Sequence, residues 1–248
     1  HIVYVDFDRR FDLDRRIEVA LGQGNDEVAR ELAETRRRIG ILLADVSGHS
    51  ATDALVAAML HQAFLTGVLY ELDRHGGVNT RLFENLNTRF FNAMSVEKYI
   101  TLIYGEISST GTFRFLSAGH PPPLVFSSEF DRFVTVCPQR LTSFYPLGMF
   151  PSEDDIDVSR NPGALRYKHK YTVNELNLMG SGDILLLYTD GLSELARDDE
   201  EYIPQRLEAT VRSVKGASAH DIYVAVRDDA LAFRPPDDDL SLVVIRRG

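Results

Sequence analysis

Three apolar segments of this chain each adjoin an aspartate that is followed by glycine or accompanied by further aspartates. The first segment runs into Asp45 and the second runs into Asp190. The third begins just after Asp238, which lies in a run of aspartates. Carboxylates at the ends of strands can hold hard divalent cations, and such cations can activate water for hydrolysis.

A shared sheet edge would bring these three aspartates together. In an antiparallel sheet the end of one strand lies beside the start of its neighbour, so Asp45, Asp190 and Asp238 would meet there. Like charges gathered without a cation would raise the carboxyl pKa values and cost stability, and a divalent ion removes that conflict. Carboxylate, carbonyl and water ligands favour Mg²⁺ or Mn²⁺, and the sequence lacks the clustered Cys and His residues typical of zinc sites.

Each of the three patterns also has a purely structural explanation. Asp and Gly after a strand commonly form turns, and the aspartates around Asp238 fit a solvated acidic loop. The metal interpretation depends on three such sites, far apart in sequence, each being attached to an apolar segment. The pattern by itself leaves both interpretations open.

The elements that must position these aspartates are a mixture of strands and helices. Strand patterns occur at Ile2–Phe7, Ile39–Val46, Tyr99–Ser108, Thr112–Ala118, Leu124–Ser127, Phe133–Val136, Ile184–Tyr188 and Leu240–Arg246. Helical patterns occur at Thr52–Arg74, Thr80–Ala93, Tyr202–Val214 and Ala219–Phe233. Strands adjacent in sequence, followed by pairs of helices, predict an α+β fold. We expect an antiparallel β-sandwich flanked by helices on both faces, in the layer order α-β-β-α.

The domain organisation is predicted to be simple. At 248 residues the chain fits one large domain. A charged helical pair at 14–38 is predicted to be an insertion that runs over the surface, broken near Gly24. Residues 138–177 are irregular and rich in proline. Because the chain begins with His1, we expect it to be the C-terminal part of a longer protein.

Composition and charge argue against several classes of protein. With 27 basic and 37 acidic residues the formal net charge is −10, which disfavours nucleic-acid binding. The lone Cys137 suits a reducing cytoplasm, and a cysteine phosphatase is excluded because Ser143 stands where the Cys-x5-Arg motif needs arginine. The apolar segment Leu55–Leu72 contains His61 and Glu71, which favours a buried helix over a membrane span.

Four motifs together resemble a known family. They are Asp45-Val46-Ser47-Gly48-His49, Ser117-Ala118-Gly119-His120-Pro121-Pro122, Thr189-Asp190-Gly191-Leu192-Ser193-Glu194 and Asp238-Asp239-Leu240-Ser241. In this order they are similar to the SpoIIE-like branch of the PPM (protein phosphatase 2C-like) family of serine/threonine phosphatases. The resemblance extends from Ile39 to the end of the chain.

The resemblance implies two Mn²⁺ or Mg²⁺ ions and assigns roles to individual residues. Asp45 would bridge the ions and the carbonyl of Val46 would complete one coordination shell. Asp190 and Asp238 would hold the other ion, so Asp45, Asp190 and Asp238 are the predicted catalytic residues. The residues predicted on the substrate side are Ser47, Gly48, His49, His120 and Asp239. Glu194 matches a position that is often acidic in relatives and would assist an additional metal.

One ligand of the family pattern has no counterpart in this chain. Relatives carry a Gly-Gly-Asp segment just before the first strand, and its aspartate binds metal. We expect that aspartate upstream of His1, and the alternative is replacement by Asp6 or Asp8.

The implied reaction is hydrolysis of a phosphoserine or phosphothreonine monoester by a water that the ions activate. His49 or His120 is a candidate proton donor to the leaving oxygen, and the alternative is that each merely orders its loop. The expected substrate is a STAS-domain anti-sigma-factor antagonist in the bacterial cytoplasm, with an upstream sensor or receiver domain as regulator. The helices after Asp45 are candidates for homodimerisation, although core packing is the favoured role.

Two other functions stay open at this point. The first is a PPM-like binding module with impaired catalysis. The second is a hydrolase of small phosphorylated metabolites.

Overall fold

The computed structural model describes residues 1–48, 50–93, 98–136, 140–153, 155–164, 166–177, 180–198 and 200–248. The elements in chain order are β1 (Ile2–Asp6), α1 (Phe7–Arg10), α2 (Leu13–Gly22), α3 (Asp26–Thr35), β2 (Arg38–Val46), α4 (Ala51–His75), α5 (Thr80–Ala93), β3 (Ile100–Ser108), β4 (Phe113–Ala118), β5 (Leu124–Ser127), β6 (Arg132–Phe133), β7 (Ser143–Phe144), α6 (Asp155–Arg160), β8 (Asn174–Leu176), β9 (Ile184–Tyr188), α7 (Asp190–Ser193), β10 (Ala196–Arg197), β11 (Glu200–Glu201), α8 (Leu207–Val214), α9 (Ala219–Phe233) and β12 (Leu242–Arg246).

The chain divides into two units, each with its own apolar core. Unit 1 comprises His1–Ser109, Arg114–Gly119 and Thr142–Asn174. Unit 2 comprises Thr110–Phe113, His120–Leu141 and Glu175–Gly248.

The main sheet of unit 1 follows from the apolar, β-branched character of its strands. Its strand order is β1-β2-β3-β4-β7, and β2 pairs antiparallel with both β1 and β3. The middle of β2 is fully covered, since Leu42, Leu43 and Ala44 are each 0 % exposed. The central strand is thus a continuous apolar run that becomes polar only at its ends, as buried strands do.

Helix α4 packs one face onto this sheet. Its buried apolar residues, Leu60, Phe64, Val68 and Leu72, recur at a spacing of four, which places them on one side of the helix. Gly76 follows the last helical residue and terminates the helix. Its φ of +76° is the left-handed conformation that glycine adopts easily. By length and composition alone α4 could also cross a membrane, and 28 % of its most apolar window is buried. The sequence predicted a buried helix here, whereas α4 is only partly buried in the structure.

The helical pair predicted at 14–38 is present as α2 and α3. The break falls at Gln23–Asn25, with Gly24 at a φ of +71°. The pair does not run over the surface alone, because Leu13, Ala20, Val28 and Leu32 belong to the core of unit 1. The prediction of a surface excursion is therefore wrong for its apolar face, which the spacing of these residues turns toward the core.

Unit 2 is built on a second antiparallel sheet. Its strand order is β12-β9-β5-β6, and β9, the strand Ile184–Tyr188, is buried at every position. Helices α8 and α9 pack on each other, and their buried residues join those of β9 in one cluster. The mixed α+β fold predicted from the sequence is confirmed. The strands β4 and β7 pair in parallel, which the sequence did not indicate.

Candidate active site

Asp45 and Val46 lie at the carboxyl end of β2, as the sequence predicted. In the pairing with β3, Asp45 is opposite Thr101 and Val46 is opposite Ile100. Both residues are half-buried, in contrast to the fully covered residues before them. The end of β2 therefore presents a carboxylate and a backbone carbonyl at the point where the apolar strand reaches solvent.

The loop after Val46 is fixed to the start of β3. Ser47 N donates to Tyr99 O, and Tyr99 N donates to Ser47 Oγ, both at 3.0 Å. Gly48 has a φ of +107°, and a Cβ there would lie 2.6 Å from both Asp53 Oδ2 and Lys98 Nζ. Glycine is needed at this position because other residues would be strained and would collide with two charged groups.

Asp190 is placed by the pairing of β9 with β12. Tyr188 is opposite Leu242, so the residues after β9 lie beside the residues before β12. Thr189 locks the two segments together, because its Oγ1 donates to Asp239 O at 3.1 Å and accepts from Ser241 N at 2.9 Å. Asp190 follows as the first residue of α7, where its Oδ1 accepts from Gly191 N at 3.0 Å.

Gly191 allows the aspartate run to approach the start of α7. A Cβ at this glycine would lie 2.6 Å from Asp239 O and 3.3 Å from Asp238 O. Asp238 and Asp239 are exposed, and Asp238 Oδ1 accepts from Asp239 N at 2.7 Å. Asp237 and Asp238 line a small cavity together with Gly191 and the exposed Glu194. Unit 2 thus brings the Asp190 and Asp238 segments into direct contact.

His120 begins the unit 2 part of its motif and is buried, with 5 % of its surface exposed. Burial lowers the pKa of His120 from 6.5 to about 4, and a hydrogen bond with the backbone of Tyr188 opposes that shift. The imidazole is therefore uncharged at neutral pH. A group with so low a pKa is poorly suited to protonate a leaving oxygen near pH 7, which favours the role of ordering its loop.

Asp6 and Asp8 do not lie near Asp45. Asp6 is opposite Ile39 at the far end of β2, about 20 Å from Asp45 at the usual rise of a strand. Its Oδ1 caps α1 by accepting from Arg9 N, and Asp8 pairs with Arg36 at 2.9 Å. Neither residue lies where the aspartate of the Gly-Gly-Asp segment would have to reach Asp45.

The chemistry of the predicted donors fits a hard divalent cation. Asp45 and Val46 supply a carboxylate and a carbonyl in unit 1, and Asp190 and Asp238 supply two carboxylates in unit 2. Within the described ranges, no three His, Cys, Asp or Glu side chains form a group that could hold an ion by themselves. The four-residue metal set therefore stays a prediction. His49 and Cys137 lie outside the described residues.

Comparison with known proteins decides the family. The family model described as Stage II sporulation protein E (SpoIIE) matches residues 35–248. The chain belongs to the SpoIIE family. SpoIIE-type domains are PPM-type, or protein phosphatase 2C-like, serine/threonine phosphatases, as the four sequence motifs indicated.

A curated SpoIIE-type relative is the phosphoserine phosphatase RsbP of Bacillus subtilis (strain 168). It is 34 % identical to this chain in an alignment of 167 residues that covers 63 % of this chain and 34 % of RsbP. The chain therefore spans about a third of the length of this relative.

Two solved structures share the fold of this SpoIIE-family chain. The RsbU and RsbW domains of Rv1364c from Mycobacterium tuberculosis align with a TM-score of 0.64 at 23 % identity, over 85 % of this chain and 52 % of that one. The PP2C phosphatase domain of SpoIIE from Bacillus subtilis, solved with a fragment of its regulatory domain, aligns with a TM-score of 0.62 at 17 % identity, over 85 % of this chain and 55 % of that one.

Sequence reasoning missed two charged residues beside the SpoIIE-family motif at Asp45. Asp53 is 5 % exposed and pairs with Lys98 at 2.6 Å. Asp53 could have been found as a helix-capping residue, because it stands three residues after Ser50 at the start of an apolar helix. Lys98 carries no local signal, since it pairs across 45 positions of sequence.

Proposed function

We propose that this chain hydrolyses phosphoserine or phosphothreonine monoesters on a protein, as a metal-dependent phosphatase. The observation that carries the proposal is the contact between the Asp190 and Asp238 segments at the rim of one sheet in a SpoIIE-family chain. Asp45 and Val46, at the end of β2, complete the proposed ligand set. The proposed cofactors are two Mn²⁺ or Mg²⁺ ions.

The residues of the chain position the proposed ligands. Thr189 joins the Asp190 segment to the Asp238 segment through two hydrogen bonds, so the backbones that carry the two carboxylates are held side by side. Ser47 holds the backbone after Val46 against β3. When bound, divalent ions lower the pKa of a coordinated water and offset the negative charge of the phosphoryl oxygens.

The charge of the chain supports a metal requirement. At a formal net charge of −10 the protein repels a phosphorylated substrate, and three of its carboxylates belong to the proposed site itself. Bound divalent cations would reverse the local charge. We therefore expect substrate binding, as well as chemistry, to depend on metal.

We propose a regulatory protein as the substrate. The relative RsbP is named as a phosphoserine phosphatase, and the SpoIIE phosphatase domain was solved with a fragment of its regulatory domain. By analogy the substrate would be a phosphorylated STAS-domain regulator of a sigma-factor pathway in the cytoplasm, and an upstream sensor or receiver domain would control the enzyme. We also propose that the chain forms a homodimer.

The decisive experiment is a metal-dependence assay on p-nitrophenyl phosphate and on a phosphoserine peptide. We expect activity with Mn²⁺, and we expect Asp45→Asn and Asp190→Asn each to lower kcat/KM by more than about 100-fold, since even groups that only support a ligand cost 10- to 100-fold. Asp26→Asn, on the exposed start of α3, removes one charge elsewhere and should keep full activity. Wild-type activity in Asp45→Asn would refute the assignment.

A binding module with impaired catalysis is the second candidate. It is favoured by one observation, namely that Asp6 and Asp8 lie at the wrong end of β2 to supply the fourth acidic ligand of the family. Wild-type chain that binds Mn²⁺ but releases no phosphate from either substrate would support this alternative.

A further inference from the structure

Lys98 joins the loop after the proposed metal ligands to the start of helix α4. Its Nζ donates to Asp53 Oδ1 at 2.6 Å and to Ser47 O at 3.2 Å. Asp53 is in the first turn of α4, and its Oδ2 accepts from Ser50 N and Ser50 Oγ, both at 2.7 Å. One ammonium group therefore ties together the loop, the helix and the segment before β3.

The surroundings of this pair differ from those of an ordinary surface ion pair. Asp53 is 5 % exposed and the side chain of Lys98 is 32 % exposed, so the carboxylate is shielded from water. The hydrogen bond from Lys98, followed by those from Ser50, lowers the pKa of Asp53 from 3.8 to about 2. A Cβ at Gly48 would lie 2.6 Å from both Asp53 Oδ2 and Lys98 Nζ, so a side chain there would displace the charged ends of the pair.

The position of the pair gives it influence over the proposed site. Ser47, whose carbonyl Lys98 holds, directly follows Val46, the proposed carbonyl ligand. The Val46 carbonyl shares a planar peptide unit with Ser47 N, which donates to Tyr99 O. The Ser47 carbonyl lies in the next peptide unit, so Lys98 fixes the chain on the other side of the Ser47 torsions and limits rotation of the Val46 unit. Without the ammonium group of Lys98, the Asp53 carboxylate would carry an unbalanced negative charge close to that loop. It would then attract a divalent ion in competition with Asp45.

We propose that Lys98 is a positioning residue for the metal site, acting through Ser47 and Asp53 and not through contact with substrate. This inference rests on the proposed function, because it concerns the ions that the function requires. Lys98 orients the loop and neutralises Asp53, so that the ion is held by the Asp45–Val46 end of β2.

The test measures Mn²⁺ affinity by calorimetry on metal-free protein, for wild type, Lys98→Met and Lys98→Arg. We expect Lys98→Met to weaken Mn²⁺ binding about tenfold or more, the size of effect typical of groups that orient metal ligands. Lys98→Arg keeps the charge and the donors and should recover most of the affinity. In the activity assay, the Mn²⁺ concentration for half-maximal rate should rise in Lys98→Met, while the KM for p-nitrophenyl phosphate at saturating Mn²⁺ stays within about twofold of wild type.

Lys215→Met is the matched control. Lys215 also pairs with an aspartate, Asp131, at 2.6 Å, and its side chain is 39 % exposed, but it lies between α8 and α9 in unit 2. This variant should bind Mn²⁺ as wild type does. Thermal unfolding of all metal-free variants checks that a loss of affinity is not a loss of fold.

Each outcome decides the proposal. Unchanged Mn²⁺ affinity in Lys98→Met, in a wild-type protein that binds Mn²⁺ and is active, overturns the role of Lys98 and leaves the proposed function standing. Equal losses in Lys98→Met and Lys98→Arg overturn it as well, because charge and donors would then not matter. A wild type that neither binds Mn²⁺ nor hydrolyses phosphate overturns the proposed function, and the role of Lys98 with it.

Discussion

At the scale of single residues, His120 couples folding to pH. Its pKa is about 4 in the folded chain against 6.5 ordinarily, because burial disfavours the charged imidazole. The unfolded chain therefore binds more protons between these values. The free energy of unfolding is therefore highest above about pH 6.5 and decreases as the pH falls toward 4. The decrease amounts to about 3 kcal/mol at most.

We expect urea unfolding measured between pH 4.5 and 7 to show this loss in wild type (about 1.4 kcal/mol for each pH unit on the steep part of the curve). His120→Asn should lower stability at neutral pH and flatten the dependence over this range. His220→Asn, at an exposed position of α9, should leave the curve unchanged. A wild-type slope that persists in His120→Asn would assign the effect to another group.

Gly191 provides a second test at the residue scale. The atoms that a Cβ would meet at 2.6–3.3 Å are backbone atoms of Asp238 and Asp239, which cannot turn away as a flexible side chain can. Gly191→Ala should therefore destabilise the chain by about 1–3 kcal/mol, the usual cost of overpacking. Gly216→Ala is the control in the same unit, because nothing lies within 4 Å of its Cβ position, and it should be nearly neutral in urea unfolding.

The elements that carry the candidate site could be predicted at this scale, because each of its aspartates adjoins an apolar strand. Asp45 lies near the end of one strand, Asp190 lies two residues after another, and Asp238 lies four residues before a third. The metal-binding roles of these aspartates stay a prediction. The uncharged state of His120 could not be predicted, since it depends on burial by residues distant in sequence. The same is true of Lys98 and its partner Asp53.

At the scale of elements, a polar network joins Gly148, Phe150, Lys168 and Tyr171 to helix α5. Lys168, whose side chain is 1 % exposed, donates to Glu84 Oε2 at 2.7 Å, and Tyr171 N donates to Glu84 Oε1 at 2.6 Å. Asn87 Oδ1 accepts from Gly148 N at 3.0 Å, and Asn87 Nδ2 donates to Phe150 O at 3.0 Å. These bonds replace the backbone ladders that an irregular segment lacks.

We expect Lys168→Met to destabilise the chain by about 3 kcal/mol or more, because it leaves the Glu84 carboxylate without a buried cation. Thermal and urea unfolding would measure the loss. Lys170→Met, at an exposed position nearby, should have little effect. If the lost pairing is the cause, adding Glu84→Gln to Lys168→Met should restore part of the stability.

This network also explains why residues 138–177 could not be assigned from sequence. Several contacts of the described residues in this segment are single hydrogen bonds to α5, from positions with no regular spacing, so neither the helical nor the strand period is visible there. The long helices and central strands, in contrast, were predicted within one or two residues. Their apolar periodicity is imposed by the cores that they cover.

At the scale of the whole molecule, the net charge of −10 bears on any measurement with divalent cations. An acidic protein attracts Mn²⁺ and Mg²⁺ over its entire surface, and diffuse attraction of this kind weakens at an ionic strength of about 0.15 M, where the Debye length is near 8 Å. A bound ion at a specific site is screened much less. Salt therefore separates the two effects.

Specific binding should appear as stability that depends on metal concentration. An ion that binds only the folded chain stabilises it by about 2.7 kcal/mol when its concentration is 100 times the Kd. We expect Mn²⁺ to raise the unfolding temperature of wild type at about 0.15 M salt, with reversal by EDTA. Asp45→Asn and Asp238→Asn each remove a proposed ligand and should lose most of the increase, whereas Asp26→Asn makes the same change of net charge on α3 and should keep it. Equal increases in all four proteins would mean that Mn²⁺ acts only through the general negative charge, because a specific site cannot be indifferent to the loss of its own carboxylates.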